Sequence, residues 1–376
     1  MTSNFPSDRT TLIESSTGVI IAPAAPDAAD YLLIVDGEDH GRFIALDEQE
    51  RAIGRVEPCD IVVPDKEISR RHCTVRMLRG ALTVTDLGST NGTYLDGNRI
   101  TGTVAVPLGA LVQIGRTVLK YERRSRKEVQ AAEELARDLA KARRYVESLL
   151  PAPLRAGAIT ADWFYQPSTQ LGGDVLGYHA LDDRHFAVYL LDVSGHGVEA
   201  CMLAVAAINV LRQRALPDTD YRRPGDVVKR LNAMFPMDQH NFMFFTVWYG
   251  VFDMERRVMD YCSAGHHPAF VLSGDRERLV PLRTANVPIG IDAEADFTAD
   301  SSPIGAGQTL YLFSDGVFEI VTPAGERWEL DDFLRLIPGS PVSGMSEPER
   351  LHHLVRRAAR PGPLDDDFSL LTVRFD

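Results

Sequence analysis

The stretch LLDVSGHGVEA, Leu190–Ala200, closes an apolar run on Asp192 and then sets Gly195 and Gly197 around a histidine. A turn from strand into helix needs one flexible residue, so two glycines two apart suggest backbone approaching something closely. A carboxylate at a strand end beside such a loop is a common way to hold a hard cation. It is equally a cap for the helix that follows. The choice between the two rests on what the rest of the chain offers as partners for Asp192.

Three other segments offer the same arrangement. Asp174 follows a glycine pair in QLGGDVLG, Asp315 ends an apolar run in TLYLFSDGVFE before Gly316, and Asp366 and Asp367 stand just before the last apolar run in LDDDFSLLTV. One such aspartate alone reads as a turn or cap residue. Four segments doing so in one region, with few His or Cys at ligand spacing, suit an oxygen-only cage for Mg2+ or Mn2+.

Around these carboxylates the text alternates between two patterns. Strand-like pieces (HFAVYLLDV, FFTVWYGVFD, VMDYCSAG, PAFVLS, FSLLTVRF) interleave with helical ones (EACMLAVAAINVLRQRA, PGDVVKRLNAMF, PERLHHLVRRAAR). The consecutive strands in FFTVWYGVFDMERRVMDYCSAGHHPAFVLS read as antiparallel hairpins. The expectation over residues 151–376 is an α+β domain of antiparallel sheets covered by helices. Upstream, residues 123–150 contain no Gly or Pro and are dense in strong helix formers. Val129, Ala132, Ala136, Leu139, Ala142, Val146 and Leu149 recur at spacings of three and four, a narrow seam that predicts a linker helix forming a parallel coiled coil and hence a homodimer. Pro151 and Pro153 stop it.

Residues 30–122 carry short alternating runs (YLLIVDG, HCTVRML, LTVTDL, VLKYE) between Gly, Asn, Asp and Pro turns, which predicts an all-β sandwich. Residues 1–29, rich in Ser, Thr, Ala and Pro, read as a mobile arm. The 376 residues thus make a multidomain chain. Its net charge of −13 argues against nucleic acid as a partner. Four cysteines without CxxC spacing read as buried thiols. Without a leader or an apolar run long enough to span a bilayer, the expectation is a cytoplasmic protein with no membrane partner.

Taken in order, LLP, GGD, DVSGHG, FFTVWYGVFD, SAGHHP, VPIG, FSDGVFE and DDFSLL resemble the type 2C metal-dependent Ser/Thr protein phosphatases, in the bacterial branch similar to stage II sporulation protein E. The resemblance covers most of residues 145–376 and implies two Mn2+ or Mg2+ ions bridging a water that attacks phosphorus in line. Carried over by position, Asp192 bridges both ions and the carbonyl of Val193 completes one site. Asp315 and Asp366 hold a metal from the far side, and Asp174 contributes directly or through water, which makes Asp192 and Asp174 the catalytic pair. The sequence departs from the family where a further aspartate often follows the GGD by three residues; here that place is Gly177. The branch lacks the phosphate-gripping arginine of its eukaryotic relatives, and no replacement is evident. His196 reads as a turn residue, and His266 and His267 as loop packing.

In the sandwich, Arg55, Ser69, Arg70, Thr90 and Asn91 fall in turns between strands, and guanidinium, hydroxyl and amide donors at loop tips are what a phosphate group needs. As a set, GR, SRRH and STNGT resemble the forkhead-associated (FHA) domain, which binds phosphothreonine peptides on its loops. That resemblance implies phosphate contacts from Arg55, Ser69 and Arg70, help from Thr90, and a peptide-backbone bond from Asn91. Together the two resemblances imply a phosphatase acting on phosphoserine or phosphothreonine of a bacterial regulatory protein, such as an anti-sigma factor antagonist. The front domain would recruit phosphothreonine partners written by a Ser/Thr kinase, or bind the chain's own arm phosphorylated at Thr10 or Thr11. The alternative is a catalytically silent phosphopeptide-binding scaffold.

Overall fold

A computed structural model describes residues 27–37, 39–155, 157–360 and 362–376. Thr10, Thr11 and most of the expected arm lie outside the described residues. The front domain is a two-sheet sandwich. One sheet runs Phe43–Ala45, Ala28–Asp36, Thr117–Ser125, Leu111–Ile114, Thr93–Leu95 and Asn98–Arg99. The other runs Ile61–Val62, Arg51–Gly54, Cys73–Leu78, Ala81–Asp86 and Thr103–Val106. Alternate residues of these strands, among them Leu32, Ile34, Ile53, Val75, Val84, Val112 and Leu119, fill the space between the sheets.

The sandwich overruns the expected boundaries at both ends. Ala28 and Ala29, assigned to the arm, already pair with Ser125 and Arg124. Arg123 to Ser125, assigned to the linker helix, therefore finish the last strand, where Asp30 accepts two bonds from the Arg123 guanidinium (3.0 and 3.2 Å). The helix α1 (Arg126–Leu149) begins one residue later, fixed by a capping box in which Ser125 and Glu128 satisfy each other's backbone N–H groups.

The seam of α1 is covered by the chain itself. Ala136 sits against Gly41 of the sandwich, while Leu139, Ala142, Val146 and Leu149 join the core of the rear domain. The large apolar side chains that α1 leaves exposed are Leu135 and Tyr145. A narrow apolar stripe flanked by charge looks the same in sequence whether a second copy or a neighbouring domain covers it.

The rear domain stacks two five-stranded antiparallel sheets. One is ordered Ile159–Gln166, Phe368–Phe375, Gln308–Phe313, Ala269–Leu272, Leu279–Leu282, and the other Asp174–Ala180, His185–Val193, Phe245–Asp253, Val258–Ala264, Asp300–Pro303. Helices α2 (Val198–Arg212) and α3 (Pro224–Met234) cover the second sheet. Of the short α4 (Leu330–Leu334) and longer α5 (Glu347–Ala358), α5 lies on the first. This is the expected helix–sheet–sheet–helix layering. It explains why apolar residues occupy both faces of the last strand: Leu371, Val373 and Phe375 point into the core between the sheets, and Phe368 and Leu370 into the layer under α5.

Candidate metal centre and its companion pocket

Strand pairing gathers the four carboxylate segments at one end of the two sheets. Asp174 and Asp192 are directly opposite each other on neighbouring strands, a placement that costs stability for like charges. On the facing sheet, Phe313 pairs with Leu370, so the residues flanking those positions, Asp315 and Asp366, leave the sheet side by side. Ser314 ties the two exits together: its N–H donates to the Ser369 carbonyl (3.0 Å) and its hydroxyl to the Asp367 carbonyl (3.0 Å).

The electrostatics report how close these acids are. Burial, then the charges of Asp315, Asp366 and Asp367, pushes the Asp192 carboxyl up to about 8. Burial and the neighbouring Asp366 and Glu319 raise Asp315 to about 6. Asp174, 2% exposed, is raised well above the carboxylate range by burial and by the charges of Asp192 and Asp367. Its Oδ2 is buried without a hydrogen-bond partner among the described residues. An orphaned oxygen and mutually repelling carboxylates in an all-oxygen set fit a divalent cation. Among the described residues no group of three or more His, Cys, Asp or Glu is already arranged as a metal cage.

Close approach explains one glycine pair and not the other. A Cβ on Gly172 would lie 2.4 Å from the Asp367 carboxylate, and one on Gly173 2.9 Å from the carbonyl of Val193. At Gly195 and Gly197, where the sequence suggested close approach, nothing lies within 4 Å of such an atom. Their φ angles of +86° and +88° are the reason for glycine there. Gly177, the departure from the family pattern, faces Tyr189 across the strands, and the ring stands 2.4 Å from where its Cβ would be.

Sequence reasoning placed Asp367 beside Asp366 and gave it no role of its own. It is 3% exposed, and its carboxylate accepts from the Ser168 N–H (2.7 Å), the Ser168 hydroxyl (3.0 Å) and the Gly173 N–H (2.7 Å). It thereby fixes the loop that carries Asp174, while Asp366 is left half-buried. The DDD run was the available signal, but nothing local separates its members. His196 is exposed, with its charge felt at Asp366. His266 and His267 are packed in their loop, the His267 ring 4.6 Å from that of Phe313.

The five residues expected to read phosphate, Arg55, Ser69, Arg70, Thr90 and Asn91, line one open cleft at the end of the sandwich. Arg55 donates to the Lys66 carbonyl (3.1 Å), Asn91 to the Glu67 carbonyl (2.7 Å), and the Thr90 N–H to the Ser69 hydroxyl (3.0 Å). His72 is buried beneath, accepting from the Ser69 N–H at Nδ1 (3.1 Å) and donating from Nε2 to the Gly92 carbonyl (3.1 Å), a support that burial keeps neutral. A side chain at Gly54 would strike the Arg70 carbonyl at 2.2 Å.

The family model of stage II sporulation protein E matches residues 182–376, more than half of the chain, and that of the FHA domain matches residues 51–115. The phosphoserine phosphatase RsbP of Bacillus subtilis is 29% identical over 56% of this chain and 51% of its own length. The phosphoserine phosphatase RsbU of the same organism is 29% identical over 55% and 61%. The FHA domain-containing protein FhaB of Mycobacterium tuberculosis is 43% identical over 25% of this chain and 60% of its own. The chain thus spans about half to three fifths of the length of these curated relatives. Among solved structures, the SiaA-PP2C domain of Pseudomonas aeruginosa is alike in fold, with a TM-score of 0.55 and 18% identity over 65% of this chain and 99% of that one.

Proposed function

The chain belongs to the stage II sporulation protein E family, and from that premise we propose that it is a metal-dependent protein serine/threonine phosphatase with a phosphothreonine-reading front domain. One observation carries the reading: four segments of the rear domain bring Asp174, Asp192, Asp315 and Asp366 to one end of its sheets, at an electrostatic cost visible in raised carboxyl pKa values. Such a cost is offset when the carboxylates share cations.

Two Mn2+ or Mg2+ ions would be held by Asp192, shared by both, with the Val193 carbonyl, by Asp315 and Asp366 of the facing sheet, and by Asp174 directly or through water. Bound there, the ions supply Lewis acidity that makes water nucleophilic near neutral pH and offsets phosphate charge. The chain's own part is positional. The Asp174–Asp192 pair sets one wall, the Ser314 bonds set the other, and Asp367 holds the intervening loop. With no cysteine motif for a covalent route, direct attack by water is the step that these residues serve.

The substrate class proposed is phosphoserine or phosphothreonine on a bacterial regulatory protein, in line with the phosphoserine phosphatases RsbP and RsbU. Arg55, Ser69, Arg70, Thr90 and Asn91 are the proposed phosphothreonine contacts, served by a Ser/Thr kinase that writes the mark on a partner or on the arm. A cytoplasmic setting agrees with four free cysteines. No helix of the described residues is long and apolar enough to cross a membrane. A homodimer through α1 stays part of the proposal: Leu139, Ala142, Val146 and Leu149 pack on the rear domain, while Leu135 and Tyr145 of the same helix are exposed.

The test is phosphate release from a phosphoserine protein and from an aryl phosphate, with and without Mn2+. Metal-dependent turnover supports the phosphatase. Its absence, together with intact phosphothreonine-peptide binding, supports the silent scaffold instead.

A further inference from the structure

Between the two domains lies a cavity of about 300 Å3. That is the small end of the range for ligand sites, which occur preferentially at domain interfaces. One wall comes from the sandwich, including Asp36, Asp65 and Lys66. The other comes from the rear domain, including Phe164 and Arg356, with Arg143 of α1 at the edge.

The acids of this cavity are already used. The Asp36 carboxylate accepts from Arg356 Nη2 (3.0 Å) and Gln166 Nε2 (3.4 Å). The Asp65 carboxylate accepts from the backbone N–H groups of Glu67 (2.8 Å), Arg116 (2.7 Å) and Thr117 (3.1 Å). The donors are not used to the same extent. Arg356 Nη1 and His40 Nδ1 are both buried and make no hydrogen bond among the described residues, whereas buried polar atoms in native structures normally have partners. The field points the same way. Burial and the Arg143 charge lower His40, and burial with Arg356 and Arg116 lowers His352 to about 3. Apolar lining comes from Phe164, stacked on His352 at 3.9 Å, and from Pro167 and Pro363.

We propose that this interdomain cavity is a binding site for a small molecule with an anionic head, phosphate- or phosphonate-like, and an apolar body. The head meets the Arg356 and Arg143 guanidinium groups, and the body lies against Phe164 and the two prolines. This site is separate from the carboxylate cluster and from the phosphothreonine cleft, but touches the supports of both. Lys66 lines the cavity and the cleft alike. Ser168, also in the lining, holds the Asp367 carboxylate that fixes Gly173 beside Asp174. An occupant therefore bears on the docking of the domains and on the loop at the metal centre.

The test uses the full chain, freed of metal by dialysis over a chelating resin, titrated calorimetrically with phenylphosphonate, which has an anionic head and a ring and cannot be hydrolysed. One molecule should bind per chain, with affinity kept within about twofold in Arg70→Ala and Asp192→Asn, since neither residue lines the cavity. Arg356→Gln should weaken binding at least about tenfold, and Arg143→Gln by about three- to tenfold. The Arg143 head is half-exposed and bonded to Glu147 of its own helix, so that variant keeps its fold if Arg356→Gln does not. No binding at about 10 mM, or binding lost in Arg70→Ala or Asp192→Asn and kept in both cavity variants, overturns the proposal.

Discussion

Gly177 stands where the family resemblance implies a further aspartate, and the reason for glycine lies across the strand. Tyr189 fills the space that any side chain there would need. Gly177→Asp should therefore add no metal affinity and should destabilise the rear domain by about 1–3 kcal/mol through overpacking. Denaturant unfolding and Mn2+ titration of the variant check both parts, and wild-type stability would remove Tyr189 from that role. A second residue-scale prediction concerns pH. His352, buried with Nε2 facing the Gln166 side-chain Oε1 (2.9 Å), is lowered to about 3 by burial and by Arg356, Arg116 and His353. The unfolded chain then binds the proton more readily than the folded one. This contribution to stability is whole above about pH 6.5 and is lost as pH falls toward 3, by roughly 1.4 kcal/mol per unit at most. Thermal unfolding between pH 7 and 5 should show a slope that His352→Gln flattens; an unchanged slope would contradict the assignment. At this scale much of the candidate site was legible, because Asp192, Asp174 and Asp315 sit at strand ends beside glycine. The role of Asp367 was not, since its partner Ser168 is 199 residues away in sequence.

At the scale of elements, periodicity identified the helices α1, α2, α3 and α5, and hairpin text gave the antiparallel sheets. What periodicity could not supply was the partner of a seam. Leu139, Ala142, Val146 and Leu149 announce a buried stripe in either setting, and the structure spends it on the rear core. Val146→Asp should accordingly destabilise the rear domain by about 2–5 kcal/mol, as burial of an unpaired charge does. Its sedimentation coefficient should match that of the wild type at the same concentration. A wild type that sediments as a dimer and a variant that sediments as a folded monomer would restore the coiled coil. The boundary at Ser125 was equally hidden: helix-forming text runs from Arg123 onward, but Ala28, Ala29 and Asp30 hold the first three residues in the sheet.

At the scale of the molecule, the domains meet through side chains that no local pattern connects. Arg356 reaches Asp36 across 320 positions, and His353 approaches Glu67 at 3.8 Å, one residue from the Lys66 of the phosphothreonine cleft. Asp36→Asn, which leaves the Arg356 charge without its partner, should separate the unfolding of the two domains in a calorimetric scan, given the cost of about 3–5 kcal/mol for breaking a buried pair. The central claim, that the carboxylates gathered from four segments run a metal-dependent hydrolysis, has a more direct test. It is the initial rate of aryl phosphate hydrolysis by the full chain in saturating Mn2+, wild type against Asp192→Asn. The account predicts a loss of at least about 100-fold, with phosphothreonine-peptide affinity unchanged. A variant that keeps more than about a tenth of the wild-type rate would contradict it.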